Sequence, residues 1–466
     1  MATSGSAPAK KYVSEAMAKW AAELTYEKIS ADAVHQVKRF LLDSLGCALG
    51  GYLQHDVKIF LEVFGAAAGP GPATVIGTGK KVDPISASLL NALMIRVMDY
   101  NDIYWMQDPS HPSDIIPAAM ACGERVKGDG QSLIVGIVLG HEFEQRLCEA
   151  AFPGIRERGW HHATLTAFAS PIVAGRMLGL GWEKIQHAIG ISGCRHFTLG
   201  GAVAGKLTMM KNTVDPMATQ SGVIGALLAE KGYTGPEHVI DGKEGMVHCL
   251  GPEWKLDILT QGLGESWRIE KCGMKAYPTE ALTHTPISAV LDLVKQHDLK
   301  PDQIAKVHVR SLARAADILS DPSKYDPRTK ETADHSLPYV LAAAVVDRQV
   351  TPAQFTDRKI MDPLIREQLP KVEVVADPEI EKLFPKLQRV IVAIRTTDGK
   401  EHTKQVDYPK GDPRNPLTDD EIEQKFDALA EPVLTAASAR KLKEAVWDLD
   451  ALGSISDLMA MLKSDR

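Results

Sequence analysis

Between residues 12 and 270 the apolar positions recur mostly at helical spacing, with short Gly/Pro punctuation between the segments. Val34, Val37, Phe40, Leu41 and Leu45 form one stripe, and Ile85, Leu89, Leu93 and Val97 form another. Residues three and four apart share a helix face, so each stripe predicts a helix with one buried side. Ala- and Leu-rich periods with little β-branched alternation predict a mainly helical architecture. Near residue 270 the period changes. Lys306 to Ser311 alternates as a strand does, and Arg389 to Arg395 alternates again before Thr397-Asp-Gly-Lys400, a turn signal that feeds a partner strand over Glu401 to Tyr408. With helices predicted over Thr285 to Gln296 and Ser336 to Val346, this stretch reads as an α+β insertion. The run from Pro409 to Pro416 reads as a linker, and Thr418-Asp-Asp-Glu421 as a capping box that restarts a helix. The expected fold is mainly α: helical parts over 1–268 and 411–466, and an α+β part over 269–410.

A chain of 466 residues is long enough for one large domain and a smaller one. Composition then removes whole classes of function. The 53 basic and 60 acidic residues leave a net charge of -7, so no global positive field favours nucleic acid, and a small-molecule partner is expected. The longest apolar run, Leu133 to Leu139, is broken by Gly136 and is too short for a membrane helix. The polar N-terminus, with Lys10 and Lys11, leads into an amphipathic segment rather than a signal-type apolar block, which gives a cytoplasmic expectation. The cysteines at 47, 122, 148, 194, 249 and 272 form no CxxC pair, so no metal ligand set is expected, and each reads as a small buried apolar residue; Cys272 alone lies beside candidate site residues.

Five polar segments interrupt the apolar pattern. Met98 to Asp114 places Asp99 at a helix end and His111 near the start of the next helix, as an acid/base pair or, equally, as helix-terminating and capping residues. Gly159-Trp-His-His-Ala163 brings His161 and His162 to another helix entry; adjacent residues diverge on a helix, so one histidine at most is expected to face a site. Gly200 to Gly205 lacks the phosphate-loop pattern and is read as close helix packing, while Lys206 and Lys211 flank a largely apolar stretch and either project into a pocket or snorkel to solvent. Lys271 to His284 holds Lys275, Glu280 and His284 where the helical pattern gives way, at a seam of the kind that ligands favour. Glu331 to Tyr339 gathers ionisable groups before an apolar helix, with capping by Asp334 or Ser336 as the plain account.

In this order the segments resemble the MmgE/PrpD family, which includes 2-methylcitrate dehydratase and cis-aconitate decarboxylase. The likeness rests on Asp99-x-x-Asp102 leading to His111-Pro-Ser113, on Gly159-Trp-His161, on Lys211 ahead of Ser221-Gly222, on Lys275-Ala-Tyr-Pro278 and on Ala333-Asp-His-Ser336. It implies a large all-helical domain built from both chain ends, a smaller α+β lid, catalysis in the cleft between them, a homodimer, and no metal, iron–sulfur cluster or organic cofactor. Carried over by position, it implies Asp99, His111, His161, Lys211, Lys275 and Tyr339 as site residues, the first four taken as catalytic and Lys275 and Tyr339 as substrate-binding; Glu280 and His284, from the segment that holds Lys275, join them as substrate-binding candidates.

The decarboxylase branch carries a histidine two residues after that proline, whereas this chain has Glu280. The expected activity is therefore dehydration of a 2-methylcitrate-like tricarboxylate, a cofactor-independent lyase reaction of propionate metabolism. Decarboxylation, or epimerisation or isomerisation of a related acid, uses the same groups; a carboxylate-binding or structural dimer without catalysis is the alternative of another class. In the expected mechanism His161 or Asp99 handles the substrate proton, His111 protonates the departing hydroxyl, and Lys211 and Lys275 clamp carboxylates.

Overall fold

The computed structural model describes residues 12–251 and 253–466; the N-terminal tail with Lys10 and Lys11 lies outside the described residues. The chain is mainly helical. Both apolar stripes form helices, over Ala31–Tyr52 and Pro84–Arg96. Ser30 starts the first by accepting from the Ala33 amide. Asp83 starts the second by accepting from Ser86, with Pro84 supplying a preset φ in the first turn. Phe40, Leu41, Leu45 and Leu93 are at most 1% exposed, each worth roughly 1.5–3 kcal/mol of burial. The helices Ala163–Met177 and Val214–Glu230 pack backbone to backbone: a Cβ on Gly222 would fall 2.2 Å from the Ser170 hydroxyl, so only glycine fits. No helix among the described residues is long and apolar enough to cross a membrane.

The buried apolar residues collect in two large clusters. One runs from Met17 to Met274 and resumes over Leu417 to Leu462; the other runs from Leu282 to Ile394. The second is built on a four-stranded sheet whose order is Glu401–Val406, Val390–Thr396, Ile304–Ser311 and Val372–Ala376. Its last pair is parallel and the others antiparallel. Helices His284–Gln296 and Leu337–Asp347 cover the sheet, and Thr418 and Glu421 make the reciprocal capping bonds that begin helix Asp419–Ala430. From that helix Lys425 reaches back to the first core. It pairs with Asp43 at 2.6 Å and donates to the carbonyls of Tyr100 and Lys275 at 2.7 and 2.9 Å.

Two expectations are corrected here. Cys194 and Cys249 are exposed rather than buried, because both lie where a helix end faces solvent. Gly200 to Gly205 does not pack helices: it is a short turn and loop, with Gly205 at φ 68° and nothing within contact of a Cβ placed there.

Candidate active site

A small three-stranded sheet sets the site. Asp102–Trp105 pairs on one side with Pro109–Ser110 and on the other with Gly273–Met274, all antiparallel. The pairing Asp102↔Met274 brings Lys275 alongside the Asp99–Asn101 turn, where its amide donates to the Asn101 carbonyl. Asp99 follows the Pro84–Arg96 helix in the left-handed region, φ 52°. Its Oδ1 accepts from Lys275 Nζ at 2.5 Å and Arg96 Nη1 at 2.7 Å, and its Oδ2 lies 3.3 Å from Lys211 Nζ. Lys211, buried at the end of a short turn, also meets Asp334 Oδ2 at 3.2 Å. Four chain segments thus meet through one charge cluster.

These pairings decide protonation. Burial alone would raise the pKa of Asp99, yet Lys275, Lys211 and Arg96 together hold it well below the usual carboxylate range. Asp334 behaves alike: burial opposes ionisation, and Lys211 and Lys330 keep it ionised. Burial lowers the Lys275 pKa while Asp99 pulls it back. Asp99 is therefore an anion that orients lysines and a poor proton acceptor.

The histidines differ. Burial, with Arg96 and Lys275 nearby, pushes the His111 pKa well down, and burial with His162 does the same to His161. Both rings are neutral at neutral pH. His111 Nδ1 lies 2.7 Å from the Asp102 carbonyl oxygen, which only accepts, so Nδ1 carries the proton and Nε2 keeps its lone pair. His161 is the opposite tautomer: its Nδ1 accepts from the Ala163 amide at 3.1 Å, which leaves Nε2 as the N–H. Asp102 is itself fixed by the Ser113 amide and hydroxyl, at 2.9 and 2.6 Å. Glu280 accepts from the Leu282 amide at 2.7 Å; burial is the strongest influence on it and raises its pKa to about 7, against the pull of Lys275 and Arg156.

These groups share a cavity of about 1110 Å³ whose lining includes Asp99, His111, His161, Lys211, Lys275 and Glu280. Two sequence-predicted residues are absent from that lining. Tyr339 is fully buried in the second core, with its hydroxyl donating to the Gln354 carbonyl, because helix Leu337–Asp347 begins after Ser336 and turns this face toward Phe355. His284 packs on Tyr277, and burial lowers its pKa to about 3. His162, by contrast, lines the cavity together with His161, since both precede the Ala163–Met177 helix rather than riding on it. Its Nε2 is 3.4 Å from Asp215. Arg96, Arg156 and His335 also line the cavity and were not singled out by sequence. The Gly200–Gly205 loop forms part of the wall.

Among the described residues, three groups of side chains have the spacing to hold a metal ion: Asp99, Asp334 and His335; His161, His162 and Asp215; and Asp102, His141 and Cys272. In the first, both carboxylates already face lysine ammoniums, and in the second His161 Nδ1 is taken by an amide. The site as built handles anions and protons: fixed ammoniums for carboxylates, a neutral imidazole with a free lone pair, and a carboxyl that exchanges its proton near neutrality.

Two family models cover most of the chain: the MmgE/PrpD N-terminal domain matches residues 15–259 and the MmgE/PrpD C-terminal domain residues 277–451. A cis-aconitate decarboxylase of Aspergillus terreus is 26% identical, over 97% of this chain and 96% of its own. The human cis-aconitate decarboxylase is 25% identical over 92% and 90%. A 2-methylcitrate dehydratase of Cupriavidus necator is 24% identical over 84% of each chain. With both models matched in order and the acid–base cluster drawn from both matched regions, the chain belongs to the MmgE/PrpD family.

Proposed function

We propose that the protein is a cofactor-independent lyase that dehydrates a 2-methylcitrate-like tricarboxylate. The observation that carries this reading is the pairing, in one cavity, of a neutral imidazole holding a free lone pair with a carboxyl whose pKa is about 7. β-Elimination needs a base for a proton next to a carboxylate, an acid for the leaving hydroxyl, and fixed positive charge against the enolate-like charge that develops. His111 Nε2 takes the proton. As the C–H bond breaks, its electron pair forms the C=C bond and the C–O bond breaks, and the Glu280 carboxyl protonates the departing oxygen to give water. Lys275 and Lys211, held by Asp99, face the developing carboxylate charge, and His161 donates from Nε2. The tautomers favour His111 as base over the reverse assignment, in which His111 is the acid and His161 or Asp99 the base. Glu280 moves from binding group to acid.

A second reading is decarboxylation of cis-aconitate, favoured by the likeness to decarboxylases along nearly the whole chain. There Glu280 would protonate the carbanion left by carbon dioxide. The lid over 269–410, the homodimer and the cytoplasmic location remain parts of the proposal. Incubating the enzyme with 2-methylcitrate, citrate and cis-aconitate and following products by proton NMR separates the readings. Loss of water from the hydroxy acids supports dehydration, and itaconate from cis-aconitate supports the second reading. No turnover of any of the three refutes both.

A further inference from the structure

The inner cations of the cavity are largely spoken for before any substrate arrives. Lys275, Lys211 and Arg96 share Asp99, with Asp334 adding to Lys211 and Asp114 and Asp215 within 4 Å of Arg96. A trianionic substrate placed against them would meet charges already half neutralised. Arg156 is different. Its side chain lines the same cavity and is mostly buried, yet among the described residues its guanidinium makes no hydrogen bond or ion pair. Its neighbour Arg314, which faces it electrostatically, is satisfied by Glu157 at 2.7 Å.

The backbone under Arg156 is fixed in place. The Asp108 carboxylate accepts from the amides of Ile155 and Arg156 at 2.9 and 3.1 Å, which pins the short turn Ile155–Arg158 just ahead of Gly159 and His161. An arginine on a pinned turn, largely desolvated and with no carboxylate in ion-pair contact, is arranged for a planar anion that comes from outside the chain. Burial and then Arg314 lower its pKa, against the weaker pull of Glu280, Asp108 and Glu157, none of which forms an ion pair with it. Lys206 and Lys324, on the same lining, also make no ion pair among the described residues. Glu280 is close enough for Arg156 to lower its pKa, so an anion on Arg156 would lie within electrostatic reach of the reacting carboxyl.

We infer that Arg156 is a substrate-binding residue that grips a second carboxylate of the acid, apart from the one facing Lys275 and Lys211, and so selects tricarboxylates over smaller acids. This rests on the reading of the site as a carboxylate lyase, and it is tested first without turnover. Tricarballylate, which has three carboxylates and no hydroxyl to lose, is titrated calorimetrically into the native enzyme, Arg156→Gln and Arg156→Lys. The glutamine variant should bind at least tenfold more weakly. The lysine variant, which keeps the charge and loses the planar fork, should lose threefold or more, and it serves alone if the glutamine variant does not fold.

In turnover, KM should rise tenfold or more with kcat changed less than threefold, the pattern of lost uniform binding. The pH limb assigned to Glu280 should also move upward, because a cation that lowers its pKa is gone. Binding of tricarballylate by a folded variant within twofold of native, or no binding by the native enzyme, would overturn the inference. If the native enzyme binds tricarballylate through Arg156 but turns over no acid, the lyase reading fails and the subsite stands; if it turns over acids and Arg156→Gln matches native, the subsite fails alone.

Discussion

Glu280→Gln tests the acid–base reading most sharply, because the side chain keeps its shape and its carbonyl can still accept from the Leu282 amide while the titrating proton is gone. With a pKa of about 7, the Glu280 carboxyl is protonated in about nine-tenths of molecules at pH 6, about half at pH 7 and about a tenth at pH 8. An acid must carry its proton, so kcat/KM should fall roughly tenfold between pH 6 and pH 8. His111, His161 and His335 add no limb in that window, since the first two are held well below their ordinary value and His335 falls to about 4 through burial and Lys211.

The glutamine variant should lose about a hundredfold or more in rate, and what remains should be flat from pH 6 to 8. Stability supplies an independent check. A carboxyl whose folded pKa is raised from 4.5 to about 7 favours the folded state fully below the unfolded value and loses that contribution as pH rises through 7. The ionised group therefore costs on the order of 3 kcal/mol at pH 8, and Glu280→Gln should melt higher than native at pH 8 with a smaller difference at pH 5. Stopped assays over the pH series and calorimetric melting measure both. A variant that keeps the descending limb, or a native profile flat over this range, would remove Glu280 from the chemistry.

Lys211→Ala and His161→Ala should each lower turnover by at least about a hundredfold with circular dichroism unchanged; near-native rates in both would reject the site. Tyr339→Phe should cost about 1 kcal/mol of stability through the lost bond to Gln354 and leave kcat/KM within about twofold, since the hydroxyl points into the second core; a large kinetic loss would place it back in the cavity. Treatment with a chelator should leave activity unchanged, because the Asp99 and Asp334 carboxylates are matched by lysines; activity lost to the chelator and restored by added metal would overturn the mechanism.

The elements were legible where periodicity and capping agree. The stripes of Val34 to Leu45 and Ile85 to Val97, the Thr397–Lys400 turn and the Thr418 capping box all fall on the helices, hairpin and cap observed. In the site, residues brought in by local motifs were easier to read than those whose place depends on a helix boundary. Helical spacing lets only one of His161 and His162 face the site, whereas the helix starts one residue after His162. Tyr339 was drawn in by its motif, yet the residues that reach Lys211 are Asp334 and His335, just ahead of the helix start. Arg156 resembles any charged turn residue until its lack of an ion pair is seen, and only three-dimensional pairing reveals that.

Lys425 binds the end of the chain to its chemistry. One ammonium late in the sequence closes the backbone at Tyr100 and Lys275, so an emerging polypeptide has every acid, base and clamp well before it has the brace that holds them in register. Competence should arrive only once helix Asp419–Ala430 has left the ribosome, and a nick in the Pro409–Pro416 connection would leave the whole reactive inventory on one piece and its fastening on the other, joined only by their shared core.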